Sequence, residues 1–177
     1  SQIFDKFIEF LGIKTLIITD LDAIGADNKK CEVANAVAYS NEALSYYFSN
    51  PTLADLKTFS FQDKLFNNIG GCWKNQSNGR LCVVYQTNEA DYNARSFEDA
   101  FIHLNRNFVK NNKADFRGLQ NKDYFDNPNK NAYILAQECI KKKTHFALDI
   151  LYHSDEMLSN WQIPAYIKEG LLWLKQD

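Results

Sequence analysis

The sequence of 177 residues lacks the features that define several common protein classes. None of its 4 cysteines forms a Cys-x-x-Cys pair and its 3 histidines provide no His-x-x-x-His pair, so we predict no zinc site and reduced thiols, as in a cytoplasmic protein. No apolar run approaches the roughly 18 residues of a membrane span. The formal net charge is only −2, so a polyanion such as a nucleic acid would have to be held by a local basic patch.

The composition is that of a globular protein. It is 45% hydrophobic and 24% charged, which excludes a wholly disordered or fibrous chain, and the length suits one domain. Acidic side chains are in excess over residues 1–100 and basic ones over residues 101–150. This distribution suits a metal site beside a phosphate-binding surface, although scattered surface charge is the simpler explanation. The chain begins without Met and inside a helical pattern, from which we predict a fragment of a longer protein.

The first 25 residues combine a helical pattern, a strand pattern and an acidic loop. Apolar residues recur at helical spacing over residues 4–11, and Gly12 follows where a helix C-cap falls. Residues 15–19 are β-branched and apolar, which is typical of a strand buried on both faces of a parallel sheet. This run ends at Asp20-Leu21-Asp22. The order of these elements predicts an α/β fold.

Turn and cap residues predict the remaining elements. The Asn78-Gly79 pair predicts a hairpin that joins residues 72–74 to a strand over residues 81–86. Residues 111–130, rich in Asn, Asp and Lys, predict a long exposed connection. Helices are predicted from a Ser40 or Asn41 cap to Phe48, after Pro51, from Ser96 to about Lys110, and over residues 130–142, 144–153 and 166–175.

Asp20 and Asp22 are the first candidates for chemistry. Residues two apart on an extended chain point the same way, so two carboxylates at the carboxyl end of a buried strand converge. Ligands of open α/β sheets bind at that end. Crowded carboxylates repel one another unless a cation joins them, and hard oxygen ligands select Mg²⁺ or Mn²⁺. The pair therefore predicts a metal site, although Asp is also common in a solvated turn after a strand.

Two later segments supply further candidates. A Ser96 N-cap places Glu98 in the first turn of a helix, where an acid either complements the helix dipole or serves as a further metal ligand. Arg95 lies just before that helix and has the guanidinium fork that holds phosphates. Lys143 closes a run of three lysines, and a lysine that reaches a metal site would stabilise charge on a transferring phosphate. A solvated basic patch is the alternative for that run.

These segments occur in the order seen in a known family. They are residues 11–22 (LGIKTLIITDLD), 40–43 (SNEA), 85–86 (YQ), 94–101 (ARSFEDAF), 143–147 (KTHFA) and 163–171 (IPAYIKEGL). Together they resemble the Toprim region of the OLD (overcoming lysogenisation defect) ATP-dependent endonucleases over almost the whole chain. An Asp-x-Asp pair alone is a weak signal, whereas the ordered set is specific.

The resemblance implies a partial Toprim-like (Rossmann-like) sheet flanked by helices, with a helical C-terminal extension. It implies Mg²⁺ or Mn²⁺ as cofactor, two-metal hydrolysis of a DNA phosphodiester, an ATPase module of the same parent chain, self-association, a cytoplasmic location away from membranes, and a role in defence against phage. The implied residue roles are metal ligands Asp20, Asp22 and Glu98, catalytic lysine Lys143, and DNA phosphate contacts Arg95 and Ser96.

The chain also departs from the family pattern. The matching segments begin after the family's first strand, which ends in a glutamate, and no G-x-x-x-x-G-K-[ST] phosphate loop is present. We therefore expect residues 1–110 to form a Toprim-like core without its first strand, and residues 111–177 to form the extension that carries Lys143. Such an incomplete site is expected to bind metal weakly and to cleave poorly.

Two other functions remain open from the sequence. A haloacid-dehalogenase-type phosphatase also has Asp-x-Asp after its first strand, with the first Asp, here Asp20, as nucleophile. No later G-D-x-x-x-D motif supports that alternative. The second is a Toprim-derived binding or assembly module without activity, with the aromatic C-terminal segment around Tyr166 and Trp173 as an interface. Their helical spacing favours core positions instead.

Overall fold

The computed structural model, which describes residues 4–176, has the α/β fold predicted from the sequence. Its strands are β1 (Thr15–Ile18), β2 (Ala23–Ile24), β3 (Ala38–Tyr39), β4 (Leu65–Ile69), β5 (Cys72–Asn75), β6 (Leu81–Val84), β7 (Asn88–Glu89) and β8 (Tyr92–Asn93). Four of them form a sheet of order β1-β6-β4-β5, in which β1 and β6 are parallel and β4 is antiparallel to both of its neighbours. The other strands form two short ribbons, β2–β3 and β7–β8.

Helices cover this sheet and form a second layer beside it. They are α1 (Asp5–Leu11), α2 (Glu42–Tyr47), α3 (Leu53–Thr58), α4 (Phe97–Asn112), α5 (Ala132–Cys139), α6 (Lys143–Tyr152) and α7 (Ala165–Lys175), with short 3-10 turns at Val33–Asn35, Gln62–Lys64 and Lys122–Asp126. The predicted helices are therefore present. Asn41 caps α2 by accepting a hydrogen bond from the Ala43 N–H, and Gly12 ends α1 with φ 60°.

The strand that is buried on both faces is β6, and the prediction of that role for β1 was wrong. Leu81, Val83 and Tyr85 pack under α2 and α3, while Cys82 and Val84 face the layer that contains α7. All four residues of β6 have 0% exposure. In contrast, β1 pairs only with β6 among the described strands, and Ile18 is 46% exposed. An edge strand with this apolar sequence has the same local pattern as a central one.

The predicted hairpin at Asn78-Gly79 is also wrong, because β4 lies between its two proposed strands. The β4 strand forms a hairpin with β5 through Gly70 and Gly71, whose φ angles of 63° and 85° suit a tight turn. The segment around Gly79 instead passes close beside β4. A Cβ atom at Gly79 would lie 2.3 Å from the backbone nitrogen of Phe66, so this glycine is required for close packing of two chain segments.

Residues 111–130, which we predicted to be an exposed connection, are anchored in the helical layer. Phe116 and Phe125 are 0% and 1% exposed. The Arg106 guanidinium of α4 donates to the carbonyl oxygens of Lys130 and Asn127 at 2.7 and 2.6 Å. Although the segment is mostly polar, its two buried phenylalanines and its backbone contacts with Arg106 hold it against the helical layer.

The last helix returns to the sheet. Tyr166 and Trp173 are 3% and 8% exposed and pack with β4 and β6 residues, which confirms the core positions that their helical spacing predicts. A Cβ atom at Gly170 would lie 2.7 Å from the Leu16 side chain, so this glycine allows α7 to approach β1. Within residues 4–176, no helix is long and apolar enough to cross a membrane. The division of the chain at about residue 110 stays a prediction.

Cysteine alkylation checks the position of the central strand. Cys82 in β6 and Cys139 in α5 are 0% exposed, and burial raises the pKa of their thiols to about 12 and about 11. Cys72 is exposed. At pH 8 in the folded protein, we expect iodoacetamide to modify Cys72 more than about 100-fold faster than Cys82. Mass spectrometry of the peptides measures both rates. Equal rates in the folded state, as expected in guanidinium, would contradict the burial of β6.

Candidate functional site

The candidate site lies at one edge of the sheet, where β1 and β6 end side by side. The strands are parallel with Ile18 opposite Val84, and the Thr19 N–H donates to the Val84 carbonyl oxygen at 3.0 Å. The residues that follow the two strands are therefore neighbours in space. Asp20 follows β1 and Gln86 follows β6, so they meet at the edge where α/β proteins bind ligands.

The Asp20 carboxylate is fixed by two donors from different elements. Its Oδ1 accepts a hydrogen bond from Gln86 Nε2 at 2.6 Å and one from the Phe97 N–H at 2.9 Å. Phe97 is the first residue of α4, and the N–H groups of a helix N-terminus favour a negative charge. The Asn41 side chain also donates to the main-chain oxygen of Asp20, which links this residue to α2.

Asp22 does not share the direction that strand alternation predicts. The β1 strand ends at Ile18, and Asp22 has φ 55°, so the backbone from Asp20 to Asp22 is not extended. An Asp22 carboxylate oxygen lies 3.1 Å from an amino group of Arg95. The Arg95 Nε donates to the Ala23 carbonyl oxygen at 3.0 Å, and its side chain is 14% exposed. Arg95 therefore holds the loop after β1 rather than presenting a free guanidinium.

Glu98 and Lys143, which are 45 residues apart in sequence, form an ion pair. The Lys143 Nζ donates to Glu98 Oε2 at 2.9 Å. Glu98 lies in the first turn of α4 with its side chain 11% exposed, and Lys143 begins α6 with its side chain 70% exposed. Both residues were candidates for the predicted metal site, and the structure brings them into contact.

The electrostatics of the edge link its carboxylates. Burial raises the pKa of Asp20 from its ordinary value, and the negative charges of Glu98 and Asp22 raise it further. The hydrogen bonds from Gln86 and the Phe97 amide oppose that change. Asp20 is therefore close enough to both other carboxylates to feel their negative charge. Asp20 is held by two amide donors, Asp22 is paired with Arg95 and Glu98 with Lys143.

Asp20 and Glu98 suit a divalent cation, while Asp22 in its present contact does not. Both supply the hard oxygen atoms that Mg²⁺ and Mn²⁺ prefer, and a cation between them would relieve their repulsion. The Asp22 carboxylate is engaged by Arg95. Over the described range 4–176, no three His, Cys, Asp or Glu side chains are assembled as a metal-binding group. A third carboxylate ligand would require Asp22 to move toward Asp20 and Glu98.

Ser96 has a structural position at the start of α4. It is 4% exposed, and its hydroxyl donates to Asp99 Oδ1 at 2.7 Å. Asp99 is 1% exposed and also accepts hydrogen bonds from the Ser96 and Arg95 N–H groups and from the Tyr92 hydroxyl. Asp99 therefore joins four donors at the base of the site, and the geometry gives Ser96 the capping role that the sequence predicts.

Truncating Asp99 is expected to destabilise the fold strongly. An Asp99→Ala change leaves buried donors unpaired, which costs about 1–3 kcal/mol for each unsatisfied group, so we expect a loss of about 3 kcal/mol or more in the free energy of unfolding. Asp55→Ala is the matched control, because Asp55 makes the same kind of cap with Thr52 at the exposed start of α3. We expect a loss of about 1 kcal/mol there. Urea unfolding measures both values, and equal losses would contradict the account.

Gln86 and Tyr166 were missed as contributors to this site. The Gln86 side chain donates to Asp20 and to the Tyr166 hydroxyl, and Gln86 and Tyr166 are each 3% exposed. A signal was present in the sequence, because Gln86 is the first polar residue after the run LCVVY over residues 81–85. It falls at the same edge as Asp20 if the two strands are parallel neighbours. That pairing could not be read from the sequence.

The chain is similar to Endonuclease GajA from Bacillus cereus (strain HuB5-5), with 27% identity over 188 residues. The similarity covers 98% of this chain and 25% of that relative, so the chain spans about a quarter of the relative's length. No family model matches the chain, and no solved structure matches it. The similarity is distant, but it extends through every element that contributes to the candidate site.

Proposed function

We propose that this chain is the nuclease portion of a Mg²⁺- or Mn²⁺-dependent DNA endonuclease of the OLD type, with a Toprim-like site. The main support is that Asp20 accepts a hydrogen bond from the first residue of α4, next to Glu98, and that Glu98 is paired with Lys143 from a third segment. Asp20 lies at the edge where α/β sheets bind ligands. The similarity to an endonuclease over 98% of the chain supports the same function and does not favour a phosphatase.

Asp20 and Glu98 would hold the divalent cation, and Asp22 would join them once it leaves Arg95. Divalent cations bound in this way supply Lewis-acid activation of water and of the scissile phosphate. The Phe97 N–H and the Gln86 amide hold Asp20 in place from the protein side. The chain thus provides a fixed carboxylate, Asp20, and a carboxylate whose charge is balanced by an ammonium, Glu98.

Lys143 would stabilise the negative charge that develops on the phosphate. Its side chain is 70% exposed, so its Nζ is accessible to a phosphodiester while Glu98 fixes its direction. Lys141 and Lys142 precede it and are exposed as well, which provides the local basic surface that a chain of net charge −2 needs to attract DNA. Arg95 would contact a phosphate only after it releases Asp22.

The remaining partners follow from the same proposal. The chain spans a quarter of the relative's length. From the family resemblance we propose an ATPase module of the same parent chain and further copies of the protein as partners. DNA is the substrate, and phage or other foreign DNA is the biological target that the resemblance implies. The alternative, a binding module without activity, predicts that no DNA is cleaved in the same assay.

Conversion of supercoiled plasmid to nicked or linear DNA tests this function. We expect the gene product that contains this chain to nick plasmid in Mg²⁺ or Mn²⁺ and to lose all activity in EDTA. The 177-residue chain alone is expected to nick more weakly. Nicking that is equal in EDTA and in Mg²⁺ would overturn the metal dependence, and absence of cleavage under every condition would favour the binding module.

A further inference from the structure

Gln86 stands out among the buried polar residues because its side chain joins three separate segments. It is 3% exposed and lies two residues beyond the end of β6. Its Oε1 accepts a hydrogen bond from the Leu21 N–H at 2.7 Å. Its Nε2 donates to Asp20 Oδ1 at 2.6 Å and to the Tyr166 hydroxyl oxygen at 3.0 Å. Both N–H bonds of the amide are therefore used.

These contacts allow only one orientation of the amide. If the amide were flipped, Oε1 would face the Asp20 carboxylate and Nε2 would face the Leu21 N–H, which places two acceptors together and two donors together. The orientation of Gln86 is consequently determined by its surroundings. A fixed amide in turn fixes the carboxylate that accepts from it.

The Tyr166 contact makes α7 part of the same arrangement. The N-terminus of α7 is tied to the β7–β8 ribbon because the Ala165 N–H donates to Glu89 Oε2 at 2.9 Å. Farther along the helix, Trp173 packs in one hydrophobic cluster with Cys82 and Val84 of β6. Gln86 therefore links a helix near the end of the chain to the loop after the first strand.

The geometry at Asp20 indicates what the fixed amide achieves. Gln86 and the Phe97 N–H both donate to Oδ1, and no side chain or N–H group of the described residues donates to Oδ2. Two donors on Oδ1 fix the carboxylate and leave Oδ2 without a donor from the described residues. Oδ2 is thus the Asp20 atom available to a cation shared with Glu98.

We propose that Gln86 is a positioning residue that orients Asp20 for binding of a divalent cation, with Tyr166 holding Gln86 from the opposite side. This inference rests on the proposed function, because it takes Asp20 as a cation ligand. Gln86 itself does not contact the cation. Residues that orient metal ligands typically change metal affinity by about 10- to 100-fold when they are removed.

The test uses two variants and one control in the full chain. Gln86→Met keeps a similar volume without donors, and Tyr166→Phe removes only the hydroxyl. Asn105→Leu is the matched control, because Asn105 is another buried amide, 4% exposed, that donates to the Phe101 and Gln162 carbonyl oxygens and does not contact Asp20. Amide hydrogen exchange at Phe97 and Mn²⁺ affinity by electron paramagnetic resonance are measured for each protein.

In Gln86→Met, we expect Mn²⁺ affinity to fall by at least about 10-fold. We also expect Phe97 exchange to accelerate by about 10-fold, because the Phe97 N–H donates to Asp20 and a freed carboxylate weakens that bond. Tyr166→Phe is expected to show a smaller change in the same direction, of about 3-fold or less. Asn105→Leu is expected to lower stability and to leave both site measurements unchanged.

The two measurements separate failure of this inference from failure of the proposed function. Phe97 exchange requires no metal. Suppose that the wild-type chain binds Mn²⁺ through Asp20, but that Gln86→Met changes Mn²⁺ affinity and Phe97 exchange no more than Asn105→Leu does. In that case the positioning role of Gln86 is wrong and the nuclease proposal stands. If the Asp20→Asn variant binds Mn²⁺ as tightly as the wild-type chain does, both the positioning role of Gln86 and the proposed function fail.

Discussion

Replacing Asp20 with asparagine in the gene product that contains this chain is expected to reduce its Mg²⁺-dependent plasmid nicking by more than about 100-fold. A cation ligand contributes more than the residues that orient it. The asparagine carbonyl can still accept from Gln86 and the Phe97 N–H, so the fold around the site is retained. What is lost is the second carboxylate oxygen and the negative charge. Nicking rates at saturating DNA measure the change.

The same substitution is expected to leave the folded protein as stable or more stable. Burial and the neighbouring charges of Glu98 and Asp22 raise the pKa of Asp20 above its unfolded value, so the folded state disfavours the ionised carboxylate at pH 7. A neutral side chain removes that cost. Loss of activity together with retained or increased stability is typical of a functional residue.

Asp27→Asn is the matched control for Asp20→Asn. Asp27 lies in the same N-terminal region, but its side chain is 61% exposed and pairs only loosely with Lys29 at 3.5 Å. We expect its nicking rate to stay within about 2-fold of wild type, because exposed ion pairs contribute little. Equal losses in the two variants would mean that the number of negative charges, rather than the position of Asp20, affects the nicking rate.

Lys143→Met is expected to lower the nicking rate by about 100-fold, which is the size of effect seen when a preorganised group that stabilises developing charge is removed. Methionine keeps much of the side-chain length and removes the ammonium. The Glu98 carboxylate loses its cationic partner, so Mn²⁺ affinity is expected to be unchanged or higher. A fall in rate without a fall in metal affinity would identify Lys143 as acting on the phosphate.

The adjacent lysine provides the control for Lys143. Lys142 is exposed, immediately precedes α6, and has no carboxylate partner among the described residues. Lys142→Met removes the same charge from the same patch and is expected to weaken DNA binding slightly at low salt, with little effect on the rate at saturating DNA. If both methionine variants lose rate equally, the lysines act only as a basic surface and the catalytic role of Lys143 is wrong.

The local elements of this fold were predictable because they depend on short-range patterns. Residues 15–19 have the composition of a strand, Ser96 and Asn41 are favourable N-caps, and Gly12 suits the left-handed end of α1. The α/β class followed from the order of these elements. Each of these predictions rests on physical preferences that act within a few residues of the chain.

The pairing of strands could not be predicted in the same way. The β4 strand has the sequence Leu-Phe-Asn-Asn-Ile, which lacks the alternation that identifies strands. It pairs with β5 and β6, and the close approach of Gly79 to its backbone is a tertiary contact that no local pattern shows. Because β6 rather than β1 is central, the strand that is most buried was assigned to the wrong segment.

The candidate site was predictable only in part for the same reason. The Asp-x-Asp pair indicated the sheet edge at which Asp20, Gln86 and the start of α4 come together, but strand alternation does not apply to Asp22, whose φ is positive. The contact between Glu98 and Lys143 joins the starts of two helices, and no local pattern specifies it. Gln86 reaches Asp20 because β1 and β6 are parallel neighbours, which is again a property of the sheet order.

Asp20 and Glu98 are expected to share a divalent cation at the edge of the sheet. An anomalous difference map from crystals of the chain grown with Mn²⁺ and collected at the manganese edge tests this arrangement. We expect a manganese peak in contact with both carboxylates, and loss of that peak in Asp20→Asn crystals. A map in which Mn²⁺ binds elsewhere, or in which the peak persists without the Asp20 carboxylate, would rule out the shared cation.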